Sequence, residues 1–158
     1  MSIYSVLLAG HIGAGTICLI TGALASFVRK QKGIHTITGE VYHCGYVVVF
    51  LTAVIMSMIK WSELAFLFYI AVFSYGMALY GYLVRKLRRN NWLPKHINGM
   101  LGSYIGIITA VLVVNGEAVS SVTGIPSLFL WFIPTIMGSP LIAMTIRRFA
   151  RPGSSKRI

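Results

Sequence analysis

Acidic side chains are nearly absent from this chain: Glu40, Glu63 and Glu117 are its only carboxylates. That scarcity weighs against a hydrolytic metal centre, and neither an HExxH run nor a Ser-His-Asp order is present. Cysteine is scarce too. Cys18 and Cys44 both lie inside apolar runs, as small buried hydrophobes do, rather than in the spacing of a disulfide or thiolate metal site. Gly13-x-Gly15 and Gly99-x2-Gly102 lack the preceding strand that a dinucleotide loop needs. Only 11% of residues are charged against 56% hydrophobic, and this balance excludes an ordinary soluble domain.

What the chain has instead is long apolar runs and a mean hydropathy of +0.78. At 158 residues it reads as one domain. Five runs, near residues 3–28, 40–59, 62–84, 97–115 and 125–146, are long enough to cross about 30 Å of hydrocarbon at about 1.5 Å per residue. The net charge of +11 is gathered in the connections between runs. Arg29, Lys30 and Lys32 fall in the first; Arg85, Lys86, Arg88, Arg89 and Lys95 in the third; Arg147, Arg148, Arg151, Lys156 and Arg157 in a basic tail, 147–158. With five spans, 13 of the 14 basic residues share one side and only Lys60 lies opposite. This predicts an all-α membrane protein of five transmembrane helices, amino terminus outside and carboxyl terminus cytoplasmic. The basic segments suit an anionic inner leaflet and not nucleic acid. Ala23-Leu24-Ala25 resembles a cleavage site, but the positive charges follow the first run instead of preceding it, so that run is expected to be a retained helix.

The faces of the spans carry further expectations. His11, Gly15, Cys18, Gly22 and Ala25 share one stripe of the first span, and His96, Gly99, Ser103, Gly106 and Ala110 one stripe of the fourth. Stripes of small residues let helices approach closely in lipid, within one bundle or across a homodimer. Tyr69, Phe73, Gly76 and Tyr80 form an aromatic stripe on the third span, expected to pack. Pro134 and Pro140 flank Gly138-Ser139, which predicts a kink or unwound turn in the fifth span. Glu40 is expected to open the second span, where its charge suits the helix dipole. The segments around His35-x3-Gly39-x2-Tyr42 and His96-x2-Gly99-x4-Tyr104 hint at two repeated helix pairs followed by a fifth helix.

The histidines are the groups able to carry chemistry at neutral pH. The leading expectation is a histidine-lined intramembrane site that binds haem or metal and could be redox-active; in its first form a b-type haem is held by His43 or His35 on the second span and His96 on the fourth. Another is a zinc-type site from His35, His96 and Glu40 or His43, with His11 a further donor in the outer half. His11 stands at a different depth, so it should not share one small ion with His35 and His96. A third reading is a proton-coupled carrier using His11 and His43 beside a broken fifth helix. The fourth is a cofactor-free accessory subunit in which the histidines are hydrogen-bonding partners between helices.

The motifs His11-Ile12-x2-Gly15-Thr16, Lys32-Gly33-x-His35-x3-Gly39-x2-Tyr42 and His96 at the head of the fourth span resemble a family of uncharacterised bacterial membrane proteins, domain of unknown function 2306. The resemblance covers about the first two thirds of the chain. It implies a multi-pass protein of the bacterial cytoplasmic membrane and singles out His11, His35 and His96, with no established activity. The chain departs from the family at Thr36-Ile37-Thr38 and at Lys95-His96-Ile97-Asn98, where the family has basic residues.

The charge pattern gives a direct test. Alkaline phosphatase fused after Lys60 should be active, and fused after Asn91 or Phe149 it should be inactive. The reverse pattern would invert the topology.

Overall fold

The computed structural model describes residues 2–28, 33–88 and 90–149. Among these the chain forms seven helices: α1 (Ile3–Phe27), α2 (Ile34–Ile59), α3 (Trp61–Lys86), α4 (Trp92–Val114), α5 (Gly116–Thr123), α6 (Ser127–Leu130) and α7 (Ile133–Phe149). Five helical stretches are long and apolar enough to cross a membrane: α1, α2, α3, α4 and the α6–α7 segment Ser127–Phe149. The all-helical, five-span expectation therefore holds at the level of helix length and composition. Arg29, Lys30, Lys32, Arg89, Arg151, Lys156 and Arg157 lie outside the described residues.

The chain divides into two compact units, Met1–Gly76 and Met77–Arg157, with the division inside α3. In the first, α1 and α2 form an antiparallel pair. Ser2 caps α1 by accepting from the Ser5 amide at 3.2 Å. Gly33 caps the start of α2 with φ 116°, a conformation that costs an L side chain energy and glycine nothing. The buried side of α1 is the small stripe around Cys18 and Gly22. Opposite lie Thr38, Tyr42 and Tyr46, spaced by four on α2, with both tyrosines only 2% exposed. The helices approach closely at Gly45, where a Cβ would stand 2.8 Å from Cys18 Sγ and 3.6 Å from the Ala14 carbonyl oxygen. Gly15, expected at the contact, has nothing within 4 Å of where its Cβ would be. The glycine that permits the approach is on α2. On the segment of α3 belonging to this unit, Tyr75 stacks on Phe50 at 4.5 Å.

In the second unit the close contact is glycine on glycine. A Cβ at Gly99 of α4 would stand 2.6 Å from Gly81 Cα and 2.7 Å from the Met77 carbonyl oxygen on α3. On the other side of α4, Ile105 fills the space over Gly138 of α7.

Several boundaries differ from the sequence expectation, each for a local reason. Helix α2 begins at Ile34, so Glu40 lies six residues inside it rather than at its dipolar end. Helix α4 begins at Trp92 because Pro94 falls in the first turn, where no amide partner is required, and His96 is thus in the second turn. The connection expected over Asn115–Gly124 is mostly helix α5, ended by Gly124 at φ 71°. The fifth span is interrupted at Trp131–Phe132, and α7 runs through both Pro134 and Pro140. Pro134 sits in its first turn, where the missing amide costs nothing. Arg147 and Arg148, expected in the tail, occupy the last turn of α7, where cations suit the helix dipole. The aromatic stripe of α3 faces outward, with Tyr69 63% and Phe73 72% exposed; the buried side is Ser74, Ala78 and Val84.

Gly99→Ala should destabilise the protein by about 1–3 kcal/mol, because the added carbon meets main chain that cannot yield. Gly15→Ala should be neutral or stabilising by up to about 1 kcal/mol. Reversible unfolding in mixed micelles measures both, and equal losses would contradict this packing.

Candidate functional site

Three of the four histidines are bonded through Nδ1 to a neighbouring helix. Gly33 caps the start of α2, and His35, the second residue of that helix, lies beside the last turn of α1. There His35 Nδ1 donates to the Ala25 carbonyl at 3.0 Å. Ala25 is in the last turn of α1, one residue beyond Leu24, whose carbonyl accepts from the Val28 amide. At the far end of the same pair His11 Nδ1 meets Thr52 Oγ1 at 2.9 Å. The Thr52 hydroxyl donates to the Val48 carbonyl at 2.7 Å, so the histidine is the donor of the inter-helix bond. Between them Cys18 Sγ donates to the Tyr42 carbonyl at 3.5 Å. The α1–α2 pair is thus clasped at three levels.

In the second unit, His96 Nδ1 donates to the Gly81 carbonyl at 2.9 Å. That carbonyl lies within α3, and glycine at 81 and 99 lets the ring reach it. A histidine near the start of α2 and another near the start of α4 thus each bond back to main chain near the end of the preceding helix.

All three bonds require the proton on Nδ1, which makes Nε2 the basic nitrogen of the neutral ring. His43 differs. Its Nδ1 is buried, and its ring stacks on Tyr75 at 6.2 Å and 24°. Tyr75 also meets Tyr46, whose hydroxyl is bonded to Ser74. His43 therefore belongs to an aromatic cluster of the first unit.

The residues expected to bind metal are His35, His96, His11 and Glu40. Within the first unit His11 is level with Thr52, 17 residues along α2 from His35, or about 25 Å. His11 and His35 cannot share an ion, in agreement with the depth argument from the sequence. Among the described residues no three His, Cys, Asp or Glu side chains come together as a ligand group. His96 belongs to the second unit.

The partners Thr52, Ala25 and Gly81 were not anticipated, and neither was Gly45. Only the antiparallel register assigns them: two are bonded through backbone oxygen, which carries no residue signature. No family model, curated protein or solved structure matches this chain.

A double-mutant cycle of His11→Ala and Thr52→Val should give a coupling energy of about 0.5–2 kcal/mol. Additive losses would mean that the bond contributes nothing to holding the pair together.

Proposed function

We propose that this protein is a structural or accessory component of the bacterial cytoplasmic membrane, with its amino end outside, five spans and a cytoplasmic basic tail. In this reading it is a relative of the family whose motifs it resembles. The carrying observation is that His11, His35 and His96 each use Nδ1–H to bind the helix beside them. In lipid, where apolar burial does not draw helices together, such bonds and close glycine contacts hold them. Thirteen basic residues placed on one side support the orientation. The carrier reading leaned on a break between Pro134 and Pro140, and α7 is continuous there.

One observation favours a second reading, the binding of haem or a divalent metal such as zinc. A ligating imidazole ordinarily donates its other ring nitrogen to a carbonyl, as His35 and His96 do. Asparagine separates the two readings, because its amide nitrogen can replace Nδ1–H but cannot replace Nε2 as a ligand. The protein with His35→Asn and His96→Asn should keep wild-type thermal stability to within about 1 kcal/mol, while the corresponding double alanine variant should lose about 1–3 kcal/mol. Absorption spectra and metal analysis belong beside the unfolding curves. A Soret band or stoichiometric metal in the wild type that disappears in the asparagine variant, or in His43→Ala, would replace the structural reading with the cofactor one.

A further inference from the structure

One face of the α1–α2 pair is hollowed into a groove of about 410 Å³. Ala14 and Ile17 of α1 and Gly45 of α2 line it where the two helices approach closely. Val41, Cys44 and Val48 of α2 line its side and are exposed. Their neighbour at the end nearest the start of α2 is Glu40, half-buried and the only carboxylate lining the groove.

The depth of Glu40 gives this arrangement its meaning. Helix α2 has 26 residues and is about 39 Å long, about 9 Å more than the hydrocarbon thickness. Centred in a bilayer, it projects about 4–5 Å at each end. Glu40 is six residues in, about 9 Å, so its Cα lies about 4–5 Å inside the hydrocarbon edge. Helical side chains lean toward the amino end, which carries the carboxylate up to the level of the lipid headgroups. From there the groove descends one turn at a time past Cys44 and Val48.

The geometry points to a binding site for an aminophospholipid: the primary ammonium of the headgroup pairs with Glu40, and one acyl chain lies along Cys44 and Val48 over Ala14 and Gly45. A carboxylate at headgroup depth is complementary to an ammonium and repels an anionic headgroup. A primary ammonium offers N–H donors, which a quaternary one does not. Apolar contact with the groove is matched by contact with bulk lipid, so headgroup selection rests on Glu40. The site rests on the membrane-spanning reading but not on which leaflet faces the cytoplasm.

The test uses the full chain in vesicles of equal phosphatidylethanolamine and phosphatidylglycerol, with mild detergent extraction and native mass spectrometry of the retained lipid. The wild type should retain phosphatidylethanolamine at least threefold over phosphatidylglycerol. Glu40→Gln, close to isosteric, should bring that ratio to about one, and so should Val48→Trp, which fills the groove from an exposed position. No preference in the wild type, or its persistence in either variant, overturns the site. A dimer that Val48→Trp dissociates would give the groove to a second copy and overturns it equally. A chain that fails to float with the vesicles at all would instead refute the membrane reading.

Discussion

Inside a bilayer there is no water to receive a stray polar group, and hydrocarbon outside a helix is as welcoming as the helix beside it. Holding two helices together there depends on contacts that lipid cannot imitate. This chain supplies two kinds: backbone brought against backbone through glycine, and an imidazole N–H given to an oxygen on the neighbouring helix. The α1–α2 pair has Gly45 against Cys18 and Ala14, with His35 and His11 clasping its two ends. The α3–α4 contact has Gly81 against Gly99, and His96 on the Gly81 carbonyl. Each kind of contact makes the other feasible, since an imidazole reaches main chain only where small residues leave the way open.

That dependence bears on what the histidines do. A ring whose Nδ1 is committed to a carbonyl has one tautomer and one orientation, whether it serves packing or ligation. The separation of His11 and His35 along the helix pair removes a shared ion within the first unit, and His43 sits in an aromatic cluster with Tyr75. Glu40 stands apart. Expected at the helix end, it lies six residues inside α2, beyond the first turn where the helix dipole acts, and it borders the groove on the α1–α2 pair.

Much of the architecture was legible from residue order because length and hydropathy act locally. A run of apolar residues spans whatever packs against it, and an apolar stretch interrupted at Lys60 turns there in any environment. The stripe of small residues around Cys18 was likewise readable, since helical periodicity puts those side chains on one face. Two of the boundaries that differ, at the starts of α4 and α7, involve a proline whose effect depends on position within a turn. Pro94 and Pro134 are tolerated in a first turn and disruptive elsewhere, and the composition of the segment does not say which turn they occupy. The aromatic stripe of α3 was visible as a stripe, but its outward direction was not, because in lipid an aromatic face suits either side.

The sequence by itself determined five apolar spans, the gathering of positive charge at alternate connections, and the histidines as the groups to watch. Tertiary structure alone decided what each histidine meets. Thr52, Ala25 and Gly81 become partners through antiparallel register, and register is set where Gly45 and the Gly81–Gly99 pair allow backbones to touch. The physical reason is that two of the three acceptors are main-chain carbonyls, present at every residue alike, so only the approach of one helix to another selects which carbonyl receives the proton.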